Sequence, residues 1–185
     1  MRIAVYGGSF DPLHTGHLAI MRYLTESRAF GCIYLVISPQ NPFKDPSKAL
    51  TGESRYNDAL EAVARHPELN VKVEDIELKM PAPHYSIRTL DALKEREPEN
   101  DFTMVMGADS LSQVLLWKDA DRLLTEYGVA AYPRSGYDLV QLRNRLLEVN
   151  PRYRVEIFDA PLVDISSTEI RENEAKGVDM SEFRM

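Results

Sequence analysis

Residues 7–17 combine glycines and two histidines directly after the short apolar run of residues 3–6. Paired glycines, Gly7 and Gly8, let a backbone approach phosphate oxygens closely and adopt dihedral angles that other residues avoid. A helix that starts after them presents unpaired N–H groups and the positive end of its dipole to an anion. His14 and His17 are three residues apart, so they share one helix face and each can donate to a phosphate. The spacing favours phosphoryl or nucleotidyl transfer.

Two plainer interpretations of the histidine pair stay open on the residues alone. The histidines can be exposed side chains at a helix start, with no chemical role. They can also form a metal pair, although zinc ligands on a helix usually stand four apart and need partners that this chain does not supply. The nearby glycines and the Asp11-Pro12 pair favour a nucleotide site, and we predict no protein-held metal.

A second motif, residues 164–171, reads Asp-Ile-Ser-Ser-Thr-Glu-Ile-Arg. Ser166 and Glu169 fit a capping box, so an ordinary capped helix is the simplest interpretation. Ser167 and Arg171 are four apart and therefore lie on one helix face. Two hydroxyl groups, free amides and a guanidinium group can then converge on one anion.

The two motifs together resemble the nucleotidyltransferase superfamily with the H-x-G-H signature, whose members join a nucleotide to a phosphorylated acceptor. In that superfamily the I-S-S-T-x-I-R motif holds the ATP phosphates. The resemblance implies catalytic roles for His14, His17 and Arg171. It implies that ATP is bound by Gly7, Gly8, Ser9, Phe10, Gly16, Lys44, Gly107, Asp109, Arg134, Ile165, Ser166, Ser167 and Arg171.

A third set of motifs consists of four stretches: Met106-Gly107-Ala108-Asp109-Ser110-Leu111 with Trp117 after it, Ala82-Pro83-His84-Tyr85-Ser86, Pro133-Arg134-Ser135-Gly136-Tyr137, and Asn41-Pro42-Phe43-Lys44 with Arg55 downstream. Together they resemble the bacterial-type nicotinate mononucleotide adenylyltransferases of this superfamily. In that family the resemblance implies that Trp117 stacks on the pyridine ring, and that backbone amides near Ser86 and Lys118 receive the nicotinate carboxylate, beside Tyr85.

Each residue in this third set also has a plainer interpretation. Trp117 can be a core residue, and Asp109 can simply cap the helix that follows it. Lys44 and Arg55 can belong to a solvated face.

The sequence departs from the family pattern at two positions. Lys118 stands where an aromatic residue often follows the tryptophan, and Ser135 replaces the proline that follows the arginine at position 134.

Strand-like and helix-like patterns alternate along the chain and would position these motifs. They predict an α/β fold, a doubly wound and mainly parallel sheet with helices on both faces, Rossmann-like as in nucleotidyltransferases. Ligands bind such sheets beyond the carboxyl ends of the strands, where residues 7–17 fall. The predicted strands cover residues 2–6, 33–37, 71–78, 102–106, 129–132 and 153–158. The predicted helices cover residues 16–27, 53–65, 86–97, 110–116, 119–126, 138–148 and 167–175.

Composition limits the class of protein. The chain has 185 residues, 44% of them hydrophobic and 28% charged, which predicts one globular domain over 1–185. Its net charge of −7 argues against non-specific nucleic-acid binding, and no apolar run is long enough for a membrane span. The single cysteine, Cys32, fits a buried strand thiol; together with the lack of a signal-peptide pattern, it favours the cytoplasm. The length and proline content of residues 38–52 predict a mobile loop. Compared with the family pattern, the tail that ends at Met185 is expected to be shortened or divergent.

The resemblance implies transfer of AMP from ATP to nicotinate mononucleotide, giving nicotinate adenine dinucleotide and pyrophosphate in NAD biosynthesis. A Mg²⁺ ion held mainly by phosphates is expected, because such ions need few protein ligands. Nicotinamide mononucleotide and phosphopantetheine stay open as other acceptors, and a nucleotide sensor without turnover is the alternative from a different class. No cue for a cytosine pocket is found, and nothing in the chain predicts an oligomeric state.

Overall fold

A six-stranded sheet forms the centre of the computed structural model, which describes residues 1–39, 51–162 and 165–185. All paired strands run parallel, in the order β3-β2-β1-β4-β5-β6. The order reverses between β1 and β4, which is where doubly wound sheets bind ligands. The predicted fold class is confirmed. The strands are β1 (Arg2–Gly8), β2 (Cys32–Ile37), β3 (Val71–Glu74), β4 (Asp101–Gly107), β5 (Val129–Tyr132) and β6 (Val155–Ile157).

Helices cover both faces of the sheet because successive strand residues point to opposite sides. Ile3 and Val5 belong to one buried cluster, whereas Ala4 and Tyr6 belong to another. The first cluster is covered by α3, α4 and α6, and the second by α1 and α2. In the described ranges, no helix has the length and apolar character needed to cross a membrane. The helices are α1 (Thr15–Ser27), α2 (Gly52–Ala64), α3 (Ser86–Arg96), α4 (Ala108–Leu111), α5 (Ala120–Arg122), α6 (Leu139–Val149) and α7 (Ser167–Ala175).

The predicted strand over 71–78 is only half correct. Strand β3 pairs with β2 as far as Glu74 and is followed by a 3₁₀ helix, Ile76–Lys79. Glu74 pairs with Val36, and β2 ends one residue later at Ile37, so a longer β3 would have almost no partner strand beside it. The 3₁₀ helix instead buries Glu77, whose carboxylate accepts a hydrogen bond of 3.1 Å from Thr89 Oγ1.

Two predicted helices are divided, and a second strand is shorter than predicted. The segment 110–116 contains the end of α4 and a separate 3₁₀ helix, Val114–Leu116. The segment 119–126 contains α5 and most of a π-helix, Leu123–Tyr127, which is followed by Gly128 at φ +80°. In segments of only one or two turns, an apolar spacing of three or four residues fits 3₁₀, α- and π-helices alike, so the spacing alone does not separate them. Strand β6 covers only the middle of 153–158, and Cys32 is half-buried rather than buried.

The residues that follow α7 return to the start of α1. Ile165 and Ile170 pack with Met180 in a small cluster of their own. Arg184 forms an isolated antiparallel bridge with His14, and the Met185 N–H donates to the carbonyl oxygen of Leu13 at 3.2 Å. This return path places the end of the described chain against the loop that precedes α1.

Candidate active site

Helix α1 begins with two histidines that satisfy its first N–H groups. The Gly16 N–H donates to His14 Nδ1 at 3.0 Å, and the His14 N–H donates to His17 Nδ1 at 3.2 Å. This reciprocal arrangement is a capping box built from imidazoles, with the two rings stacked at a centroid distance of 3.6 Å. Because both Nδ1 atoms accept, each neutral ring carries its proton on Nε2. The pair therefore offers two Nε2–H donors.

Both histidines are neutral at pH 7. Burial, helped by the nearby Arg134 guanidinium, lowers the pKa of His14 to about 4. Burial also lowers the pKa of His17, with further contributions from His14 and Arg134. The first turn of α1 holds no acidic side chain, so the positive end of its dipole stays available to an anion.

A cavity of about 510 Å³ opens in front of these histidines. It brings together parts of the chain that lie more than 150 residues apart, including the start of α1, the end of β5 and the start of α7. On its wall Arg134 Nε lies 3.6 Å from Asp109 Oδ1, and both side chains are about half exposed. Eight predicted site residues line it: His14, Gly16, His17, Asp109, Arg134, Ile165, Ser166 and Ser167.

Gly107 does not line this cavity, but because it has no side chain, Asp109 and Arg134 can pack directly against its backbone. A Cβ atom at Gly107 would lie 2.5 Å from Asp109 Oδ1 and 3.2 Å from Arg134 Cγ. Any side chain here would therefore displace the ion pair. Glycine is needed for close approach at this position.

Two tyrosines on this cavity wall are absent from the predicted site. Tyr6 and Tyr132 line the cavity, on the sheet face that α1 covers, and their rings meet edge to face at 6.2 Å. Burial raises the pKa of both phenols. Their places near the carboxyl ends of β1 and β5 are the available signal, because parallel strands converge at that edge. Sequence reasoning also did not assign a site role to Ile20, Pro133, Ser135, Tyr137, Pro161 and Leu162, which also line the cavity.

The predicted glycine-loop residues Gly7, Gly8, Ser9 and Phe10 lie beside the cavity rather than on its lining. The Phe10 ring packs edge to face on His17, with a centroid distance of 4.9 Å. Phe10 adopts a left-handed φ of +48°, which is uncommon for a residue with a side chain. The loop thus supports the histidines from behind.

Arg171 also lies outside the main cavity. Its guanidinium donates from Nη1 to the Asp11 carbonyl oxygen and from Nη2 to Thr168 Oγ1 at 3.2 Å. It lines a second cavity of about 270 Å³ on the far side of the loop, together with Phe10. Ser167 donates to the Pro12 carbonyl oxygen at 2.8 Å, so the predicted phosphate motif holds the loop as well.

Arg55 differs from both sequence interpretations, the basic loop and the solvated face. Its side chain is 2% exposed, and it lies beneath the glycine loop rather than on the surface. Nη1 donates to the carbonyl oxygens of Ser9 and Ser38, each at 2.7 Å. Lys44, the other basic residue of that motif, lies outside the described residues, as does most of the predicted loop over 38–52.

None of the predicted acceptor residues lines the main cavity. Tyr85 is about half exposed and Ser86 begins α3, while Trp117 follows the 3₁₀ helix and packs against the first core cluster. Lys118 follows the tryptophan. No N-cap side chain bonds the start of α3, so its first N–H groups remain available to an anion.

Proteins of similar sequence and of similar structure are known. The family model described as cytidylyltransferase-like matches residues 5–173. A Porphyromonas gingivalis protein named "Probable nicotinate-nucleotide adenylyltransferase" is 37% identical over 97% of this chain and 87% of the relative. A Flavobacterium psychrophilum protein of the same name is 34% identical over 94% and 86%.

The structural comparison agrees with the sequence comparison on the fold. Nicotinic acid mononucleotide adenylyltransferase from Plasmodium falciparum, in complexes with APC and with NaAD, superposes with a TM-score of 0.78. It is 18% identical and covers 98% of this chain and 87% of its own. At this identity the likeness shows the fold alone.

The depressed pKa of His14 predicts a loss of stability in acid. Its folded pKa of about 4 lies below the ordinary value of 6.5, so the unfolded chain takes up the proton first as the pH falls. The free energy of unfolding should decrease between pH 6.5 and pH 4, by on the order of 3 kcal/mol from this group. Urea unfolding of the wild type and of His14→Asn, which keeps a cap acceptor, measures the difference. Parallel pH curves for the two proteins would contradict the prediction.

Gly16→Ala should damage the site without unfolding the protein. A Cβ atom here would lie 2.8 Å from His14 Cε1, so the ring must move. Alanine favours a helix over glycine by about 1 kcal/mol, whereas a misplaced group can cost about 100-fold in rate. Pyrophosphate release and thermal unfolding measure the two effects. Gly7→Ala, whose Cβ would meet Met104 Cε at an ordinary 3.6 Å, is the matched comparison and should lose far less. Equal losses in both variants would argue against steric displacement of His14.

Proposed function

We propose that this chain, which belongs to the cytidylyltransferase-like family and within it to the nicotinate-nucleotide adenylyltransferases, transfers AMP from ATP to nicotinate mononucleotide and releases pyrophosphate. One observation carries the assignment to this site. Two neutral imidazoles offer Nε2–H donors beside the positive end of α1, whose first turn holds no acidic side chain, at a nucleotide-sized cavity. That combination binds and stabilises phosphate oxygens.

The proposed reaction needs no base from the protein. A phosphate oxygen of nicotinate mononucleotide attacks the α-phosphorus of ATP, and the bond from that phosphorus to the bridging oxygen breaks. The electron pair leaves with pyrophosphate, whose charge is the main demand on the site. His14 and His17 donate to the oxygens that gain charge, and the fixed Nδ1 bonds keep these donors oriented without reorganisation.

The nucleotide would be held from three sides. Ser166 and Ser167 at the start of α7 would bind the phosphates, while Asp109 and Arg134, which also line the cavity, would lie at the ribose and adenine. Leu162 and Ile165 supply apolar surface for the base. In this proposal Arg171 holds the Asp11 carbonyl oxygen and adds positive charge from behind the loop. Lys44, which lies outside the described residues, would add a further positive charge. The glycine loop, Gly7 to Phe10, supports the phosphates through its backbone.

The acceptor would bind next to this cavity, at the start of α3. The uncapped amides near Tyr85 and Ser86 suit the carboxylate of nicotinate, because an anion satisfies free N–H groups better than an amide does. Trp117 would stack on the pyridine ring and Lys118 would add favourable charge. These features support nicotinate over nicotinamide.

We propose that Mg²⁺ accompanies ATP and is held by its phosphate oxygens. Among the described residues, no group of three or more histidine, cysteine or carboxylate side chains could hold a metal ion by itself. Asp109 is the one acidic side chain among the described residues of the cavity wall. Mg²⁺ commonly binds through one or two carboxylates and the substrate phosphates, where it neutralises charge. A cytoplasmic location completes the proposal, because its substrates are metabolites.

Pyrophosphate release tests the acceptor. ATP is supplied in turn with nicotinate mononucleotide, nicotinamide mononucleotide and phosphopantetheine, and the greatest kcat/KM is expected with the first. A preference for either of the others would replace the proposed substrate. ATP binding measured by calorimetry without release from any acceptor would favour a nucleotide sensor.

His17→Ala separates catalysis from binding. Losing one preorganised donor commonly lowers kcat by about 100- to 1000-fold, and the cavity that holds ATP is otherwise kept. We therefore expect kcat to fall far more than the ATP affinity, measured by calorimetry. His66→Ala, a histidine beside Glu68 outside the cavity, is the matched control and should keep wild-type turnover. Unchanged kcat in His17→Ala would remove His17 from the mechanism.

A further inference from the structure

We propose that Arg55 is a positioning residue that fixes the loop of residues 8–11 in its phosphate-binding conformation without touching the substrate. What the loop binds rests on the proposed function. How the loop is held follows from contacts within the protein, and these assign to Arg55 a task that its place in a basic sequence motif does not suggest.

Arg55 joins the loop to the neighbouring strand from below. It projects from the first turn of α2, and its Nη1 donates at 2.7 Å to both Ser9 O and Ser38 O. Ser9 follows β1, and Ser38 follows β2, to which β1 is paired in parallel. The Ser38 N–H donates in turn to Gly8 O at 2.8 Å. One guanidinium nitrogen thus ties together the ends of two adjacent strands.

These bonds determine which way the peptide groups of the loop face. Ser9 O is held by Arg55, Asp11 O by Arg171 and Pro12 O by Ser167, all from outside the loop. A carbonyl oxygen that is bonded to an outside group cannot turn its negative end toward the phosphates. Of these carbonyls, Ser9 O lies nearest the paired glycines, and it is the one that depends on Arg55.

The burial of Arg55 argues against a role that only fills space, because burying a charged group is energetically unfavourable. A guanidinium at 2% exposure loses its hydration, and an apolar side chain of similar volume often stabilises a core as well or better. Burial correspondingly lowers the pKa of Arg55, while the Asp11 carboxylate partly offsets this. A lysine ammonium can also donate twice, but its side chain is shorter and its N–H groups are not fixed in a plane as those of the guanidinium are.

The test compares Arg55→Lys and Arg55→Met with the wild type. ATP affinity is measured by calorimetry, and kcat and both KM values at a temperature where each protein is fully folded by circular dichroism. Arg55→Met should weaken ATP binding and raise the ATP KM by about 10-fold or more, because ATP would then bind only the fraction of molecules in which the loop is correctly placed without these bonds. The KM of nicotinate mononucleotide should change little, and Arg55→Lys should fall between the two.

Arg154→Met, at an exposed arginine, is the control for loss of an arginine–carbonyl hydrogen bond. Arg154 Nη1 also donates to a carbonyl oxygen, Glu126 O at 3.0 Å, but at the opposite edge of the sheet, so its loss should leave ATP binding and turnover unchanged. A merely structural role for Arg55 would lower the melting temperature and the folded fraction without changing either KM. That result, or wild-type ATP affinity in folded Arg55→Met, would overturn the proposal.

Two further outcomes are also decisive. If Arg55→Met does not fold, Arg55→Lys decides, and a wild-type ATP KM and affinity in that variant would overturn the proposal. If the wild type binds ATP but releases no pyrophosphate with any acceptor, the proposed function fails. The ATP affinity of the Arg55 variants then still tests the positioning role by itself.

Discussion

The exchange of hydrogen bonds between two imidazoles and the start of their own helix is the constraint on which the site depends. Each Nδ1 accepts one backbone N–H, so the proton of each neutral ring is confined to Nε2. A helix usually obtains this capping from a hydroxyl or carboxylate side chain. By using His14 and His17 instead, the helix keeps its positive end free of a competing anion while displaying two donors to the same space.

Everything around the pair serves to keep this arrangement in place. The sheet reverses its strand order beside β1, so the histidines emerge at an edge where several strands end together. Phe10 and Tyr6 enclose the His17 ring edge to face. Burial that keeps the imidazoles neutral also costs solvation, and the protein offsets that cost with contacts from distant parts of the chain.

The sequence could predict the fold and much of the cavity, because glycine spacing, capping patterns and strand alternation are local signals. His14, His17 and Ser167 meet as their motifs require, since parallel strands end at one edge. Local signals do not specify where a long side chain ends. The sequence therefore predicts Arg55 as part of a basic motif or of a solvated face, although it is buried. It predicts Arg171 at the phosphates, whereas in the structure its guanidinium bonds the loop. Helical periodicity likewise did not separate 3₁₀ and π turns from α-helix.

The bonds from α7 to the loop before α1 span 155 residues for Ser167 and 160 for Arg171. During translation His14 and His17 are synthesised early, whereas Ser167 and Arg171, which bond the loop before them, are synthesised more than 150 residues later than that loop. During synthesis the sheet can form from β1 onward, but the Asp11 and Pro12 carbonyl oxygens cannot form their bonds to Arg171 and Ser167 until α7 has emerged. Contacts of such long sequence separation form late in folding because chain closure is costly. Competence to bind the nucleotide thus arrives with the finished chain, and a truncated product would carry the signature residues without a working site.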